Sequence, residues 1–194
     1  MNFLAHLHIA EHSNSSLLGN LLGDFVKGDP DKQYPATISQ GIRLHRFVDS
    51  YTDTHPIVKQ AKLCFPSELR RFAPIALDMF WDHCLASDWQ RYHQGTLSDF
   101  CDYAYEQTRT ELTLPARYTQ VSDAMWQGRW LESYAHFDNM SYALSRMAMR
   151  SPRMGALANT SHYLHSHYHH LTELFTALYP EILAAAKAQN ERLK

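Results

Sequence analysis

The stretch Ile75–Trp89, IALDMFWDHCLASDW, decides how this chain folds. Its apolar residues run on without the period-two alternation of a half-buried strand, and Pro74 stands where the first turn of a helix tolerates proline. The spacing predicts a long, largely buried helix. Two carboxylates interrupt it. Asp78 and Asp82 are four residues apart, so they share one stripe of that helix. Like charges in such apolar company repel unless a cation or a proton neutralises one of them. His83 points about 100° away from Asp82 and can still serve the same cavity if the site lies between the two directions.

Outward from this segment helical periodicity recurs. In SSLLGNLLGDFVKG (15–28), Leu17, Leu18, Leu21, Leu22 and Phe25 fall at helical spacing, with Ser15 or Ser16 as the cap and Lys27-Gly28-Asp29-Pro30 as the stop. Further helices are expected over 38–53, 57–63, 97–110, 115–130, 131–149 and 154–179, with Pro180 as a break. The opening MNFLAHLHIA reads as strand-like or loop-like around His6 and His8. No repeat, low-complexity linker or shift in composition divides the chain. The expectation is one all-α domain over residues 1–194, a bundle of about seven to nine helices.

Composition narrows the class. Of 194 residues 45% are hydrophobic and 20% charged, an ordinary soluble balance, and the net charge of -2 excludes a wholesale polyanion binder such as a nucleic-acid coat. Cys64, Cys84 and Cys101 are scattered without a CxxC, which reads as reduced core cysteine. No stretch approaches the ~20 apolar residues of a membrane span, and MNFLAHLHIAEHS lacks the basic start of a signal peptide, so a cytoplasmic protein with no membrane partner is expected.

The chemistry-bearing residues gather in two clusters. In GIRLHRFVDSYTD (41–53), His45 and Asp49 share a helix face beside Leu44, Phe47 and Val48, a compact imidazole–carboxylate element for Mn, Fe or Zn; a plain His–Asp hydrogen bond is the alternative. Asp53 extends the stripe. Asp78, Asp82 and His83 form the second cluster. Asp24, beside Gly23 in GNLLGDFVKG, can reach into a tight site. His6 is a further candidate, and as a helix the segment would turn His8 about 200° away from it. His162, His165 and His169 in HYLHSHYHH read as a solvated or aromatic-packed face. Between Gly41 and Arg71 six basic residues, Arg43, Arg46, Lys59, Lys62, Arg70 and Arg71, outnumber Asp49, Asp53 and Glu68, a local field that steers acidic partners. Walker A, GxGxxG and GxSxG motifs are absent, as is the ExxH of ferritin-like di-metal bundles.

Four motifs in order, MNFLAHLHIA, GNLLGDFVKG, GIRLHRFVDSYTD and RRFAPIALDMFWDH (70–83), resemble the acyl carrier protein phosphodiesterases across nearly the whole chain. The resemblance implies a helical fold related to the HD phosphohydrolases, although the dipeptide here is Asp82-His83 and no His-Asp dipeptide exists in the chain. It implies hydrolysis of the phosphodiester joining 4′-phosphopantetheine to a serine of holo-acyl carrier protein, with Mn2+ as cofactor. The implied metal residues are Asp24, His45, Asp49, Asp82 and His83, with His6 and Asp78 behind them. Asp82, His83 and His45 are the implied catalytic groups. Arg43, Arg46, Arg70 and Arg71 are the implied dock for the acidic carrier protein. A metal phosphohydrolase acting on a nucleotide or other small phosphoester, and a non-enzymatic module that binds acyl carrier protein, are the alternatives at this stage.

Overall fold

The computed structural model describes residues 1–194, and its regular structure is entirely helical. The α-helices are α1 (Phe3–His12), α2 (Leu17–Leu22), α3 (Ala36–Thr54), α4 (Pro56–Lys62), α5 (Ala73–Ser87), α6 (Leu97–Thr108), α7 (Ala116–Gln127), α8 (Trp130–Ser133), α9 (Phe137–Ala148), α10 (Thr160–Ser166) and α11 (Tyr168–Leu193). Short 3₁₀ segments punctuate them, the longest being Pro152–Asn159. No helix is long and apolar enough to cross a membrane.

Helices α1 and α5 lie at the centre because neither has a polar side to show to water. Residues Leu4–Ala10 of α1 are all buried, and so are Met79–Ala86 of α5. A helix that is apolar all round belongs inside a protein. That is also why the strand-like or loop-like expectation for residues 1–10 fails: a fully buried helix carries no polar phase for a 3.6-residue period to reveal. Helix α1 packs against α2, α5 and α11, while α3 packs against α2, α4 and α11. One continuous cluster of 47 buried hydrophobic residues runs from Met1 to Ala186.

The crossing of α2 and α3 depends on two glycines. A Cβ on Gly19 would stand 2.9 Å from the Cα of Gly41, and the reverse is equally true. Only with hydrogen at both positions do the two backbones touch, and this contact carries the end of α2 to the middle of α3.

Eleven helices stand where about seven to nine were expected. Helix α2 stops at Leu22 rather than near Lys27, and the chain turns away at Gly23–Phe25. The expected 131–149 helix is split into α8 and α9 by a turn at Tyr134–His136. The expected 154–179 helix is a 3₁₀ run, α10 and α11, with the break at His167. Pro180 does not end α11. Proline removes one helical hydrogen bond at a cost of about 3 kcal/mol, and burial of Leu178, Tyr179 and Ile182 around it offsets that cost.

Candidate metal centre

Three helical elements converge on one small volume. Helix α1 supplies His6, the turn after α2 supplies Asp24, and α3 supplies His45 with Asp49 one turn later. The Nε2 atoms of His6 and His45 lie 3.1 Å from Oδ1 and Oδ2 of Asp49 respectively. His45 Nε2 is also 3.4 Å from Asp24 Oδ1. Donor atoms of His6, His45 and Asp49 all fall within 4.8 Å of one another. The two imidazoles are buried and the two carboxylates are partly open, so the group has a dry back and a wet front.

Gly23 makes this approach possible. A Cβ there would collide with the His45 ring, so glycine is the residue that lets the Asp24 turn lie against α3. Arg46 braces the same turn, donating to the carbonyls of Val26 at 2.7 Å and Gly28 at 2.9 Å.

Electrostatics divide the two histidines. Burial, and then the neighbouring His45, push His6 down to about 4. Burial opposes charge on His45 too, but the carboxylates of Asp24 and Asp49 outweigh it and raise that imidazole to about 9. Asp49 is half-buried, yet its contacts with the two histidines hold it well below the usual carboxylate range. Contact with His45 keeps Asp24 low as well. The cluster therefore keeps two ionised oxygens beside a buried nitrogen pair.

This donor set fits a divalent transition ion. Nδ1 of His6 and Nδ1 of His45 are buried without a hydrogen-bond partner, and His45 Nε2 meets only the carboxylates of Asp49 and Asp24. Such unpaired groups cost free energy, and a cation coordinated by a free imidazole nitrogen relieves part of it. Two imidazoles with one or two carboxylates are the ligand chemistry of Mn, Fe or Zn.

The structure does not bring the second expected cluster to this group. Asp82 is fully buried, and its two oxygens accept the backbone amides of Leu4 at 2.9 Å and Ala5 at 3.0 Å. It caps the amino end of α1, where the free amides and the helix dipole favour a carboxylate. Burial still lifts it to about 7. His83 donates Nδ1–H to the carbonyl of Tyr134 at 2.7 Å and accepts the Tyr168 hydroxyl on Nε2 at 2.8 Å, so both nitrogens are committed, and burial lowers its pKa. The metal and catalytic expectations for Asp82 and His83 meet this physical obstacle: neither has a free donor pointing at the His6–His45 pair. Asp78 receives the Met1 amino group at 2.8 Å, which also stands 3.6 Å from Asp49. It lies one layer behind the cluster.

The expected docking arginines are largely occupied. Arg43 pairs with Asp29 and Asp31 at 2.9 and 2.6 Å, and Arg46 braces the Asp24 turn. Arg70 donates to the Phe65 carbonyl, and Arg71 lies over the Phe72 ring. Sequence reasoning missed a different set. Asp24 also lines a cavity of about 780 Å³ whose walls carry Arg117, Arg146 and Arg150. The four-residue spacing of Tyr142, Arg146 and Arg150 was the available signal.

A family model described as acyl carrier protein phosphodiesterase matches residues 1–182. A curated protein of that name from Yersinia pestis is 45% identical over 189 residues, covering 96% of this chain and 98% of its own length. One from Pectobacterium atrosepticum is 44% identical over 191 residues, covering 97% and 99%. One from Salmonella newport is 43% identical over 188 residues, covering 96% and 97%. No solved structure matches.

Proposed function

This chain belongs to the acyl carrier protein phosphodiesterase family, and on that premise we propose that it is a metal-dependent hydrolase that releases 4′-phosphopantetheine from the serine of holo-acyl carrier protein. The observation that carries the metal part of this reading is the convergence of His6, His45 and Asp49 donors within 4.8 Å, with Asp24 beside them. His6, His45 and Asp49, without Asp82 and His83, are the proposed metal set, and Asp24 beside them stays free to carry a proton. The HD relationship belongs to the same reading, with His45 and Asp49 one helical turn apart in place of an adjacent His-Asp pair.

A divalent ion held there, Mn2+ by the family resemblance, supplies Lewis-acid stabilisation of phosphoryl oxygens and a more acidic bound water. The protein supplies the rest. His6 and His45 present nitrogens from two different helices, and Asp49 spans both. Asp24 is the exposed member, facing His45 on one side and the cavity on the other. Its ionised carboxylate accepts a proton from the attacking water, and the departing serine oxygen, on the opposite side of the phosphorus, takes its proton from solvent at the open front of the site. The buried back of the site keeps competing water away from the imidazoles.

The deciding experiment incubates the protein with holo-acyl carrier protein and Mn2+ and reads the carrier by mass spectrometry. The carrier is expected to lose the phosphopantetheine mass while free 4′-phosphopantetheine appears, and chelation is expected to stop both. A carrier that stays intact with Mn2+ present would overturn the reading.

A further inference from the structure

The cavity at Asp24 has an unusual rim. Four arginines elsewhere in the chain find carboxylates, Arg43 with Asp29, Arg91 with Asp88, Arg109 with Glu106 and Arg129 with Asp102, and Arg46 and Arg70 donate to backbone carbonyls. Arg117, Arg146 and Arg150 are exposed and take part in no ion pair; Arg117 has only the Phe25 ring, 6.0 Å away. Three unneutralised guanidiniums around one opening run against the overall net charge of -2. Leaving cations unpaired in this way favours an anionic partner from outside the chain.

Apolar surface is exposed at Tyr142 on this rim and at Met149 beside Arg150. Tyr142 is 65% exposed and Met149 75%. Tyr142, Arg146, Met149 and Arg150 follow the i, i+4, i+7, i+8 spacing that places side chains on one face of α9 and its C-terminal extension. Tyrosine, methionine and arginine are the residues enriched in protein–protein interfaces, and lysine, the commoner solubilising cation, is absent from this face. The cavity is also lined by Phe3, Phe25, Met79 and Tyr134, all buried or half-buried, and by the exposed Asp24, which touches the metal centre through His45. Its volume, about 780 Å³, is that of a site for a small organic group rather than for a folded chain.

We propose that the α9 face is the docking surface for an acidic protein, and that the cleft beneath it receives the flexible, largely uncharged arm which that protein carries. The metal centre then opens at the mouth of the cleft beside the rim: charge holds the carrier at Arg117, Arg146 and Arg150, the phosphodiester at the carrier's serine meets the exposed Asp24, and the arm beyond it enters the cleft. This rests on the carrier-protein reading above, and it moves the dock away from Arg43, Arg46, Arg70 and Arg71, the first three of which already have polar partners. The partner is chosen by complementarity. Guanidiniums interleaved with an exposed tyrosine and methionine suit an acidic surface with apolar spots better than they suit a uniform phosphate backbone.

The test measures binding of apo- and holo-acyl carrier protein to the full chain kept in chelator, so that no turnover intervenes. Arg146→Glu with Arg150→Glu is expected to weaken both forms about tenfold or more at low ionic strength, and the gap is expected to shrink toward ~0.15 M salt as screening shortens. Arg117→Glu, on the other wall, repeats the effect. Ala143→Phe narrows the cleft and is expected to erase the preference for holo over apo carrier. Thermal unfolding and Mn2+ affinity like those of the unaltered protein establish that each variant is folded. Folded rim variants that bind like the unaltered chain would overturn the dock, and an undiminished holo preference in Ala143→Phe would overturn the arm cleft. A single-stranded DNA that displaces the carrier from the rim with equal affinity would also overturn it. Unaltered protein that binds the carrier at this rim yet leaves the holo form intact with Mn2+ speaks for the dock and against the hydrolase.

Discussion

The imidazole of His6 lies on that of His45, with ring centroids 3.8 Å apart and planes inclined by 21°. Two buried imidazoles this close are not both cationic. Burial and His45 drive His6 to about 4, whereas Asp24 and Asp49 raise His45 to about 9. Asp49 touches both rings, so its charge serves the pair as a unit. A stacked pair with a shared carboxylate is expensive to bury and easy to discharge onto a metal ion.

Loss of a donor should therefore show first in metal affinity. His45→Ala and Asp49→Asn are each expected to weaken Mn2+ binding by at least ~100-fold, beyond the range typical of residues that only support a ligand, while far-ultraviolet circular dichroism stays helical. Titration calorimetry checks this. Unchanged affinity in both folded variants would mean the cluster is a structural hydrogen-bond network.

Asp82 should behave as a helix cap. Removing its carboxylate strands the buried amides of Leu4 and Ala5, so Asp82→Ala is expected to lose about 2–4 kcal/mol in urea unfolding. Asp82→Asn keeps one accepting oxygen but sets its NH2 against the second amide, so it should lose about 1–3 kcal/mol. Metal affinity should hold in Asp82→Asn. A fall as large as that of His45→Ala would return Asp82 to the donor set.

Gly23→Ala isolates the geometry of the site from its chemistry. The added methyl meets the His45 ring and forces it to move. Displacement of a reacting group by about 1 Å can cost ~100-fold in rate, so turnover and Mn2+ affinity should both fall steeply while stability changes modestly. A variant as active as the unaltered enzyme would show that the Asp24 turn relaxes freely.

His8 gives a pH signature separate from the site. Its Nε2–H donates to the Tyr92 carbonyl at 3.2 Å and its Nδ1 accepts the Tyr179 hydroxyl at 2.8 Å, and burial lowers it to about 4. The unfolded imidazole titrates near 6.5, so between about 6.5 and about 4 the unfolded chain binds the extra proton and stability falls as pH falls. The His8 share of that slope is about 1.4 kcal/mol per pH unit. His8→Gln should start less stable at pH 7 yet lose about 2 kcal/mol less on going to pH 5. Parallel urea-derived stability curves for the two proteins would count against a neutral buried His8.

What could be read along the chain was whatever repeats or pairs locally. Helix α3 and its His45–Asp49 face follow from a spacing of four, and α5 from its length and apolar content. Helix α1 was not readable as a helix, because burial on every side removes the polar phase that periodicity depends on. The two aspartates of α5 looked equivalent from their spacing. Their different fates, one capping α1 and the other paired with the Met1 amine, depend on which element packs above each.

The sequence by itself determined an all-helical chain, the one-turn pairing of His45 with Asp49, and the four ordered motifs that mark the family, because each is a property of neighbours within a few turns. The tertiary structure alone decided that His6 rather than Asp82 or His83 joins that pair, and that Arg117, Arg146 and Arg150 surround one opening. The physical reason is long-range packing. The Gly19–Gly41 contact and the bare α-carbon of Gly23 set the distance between elements, and no residue's identity encodes that distance until the partner helix is in place.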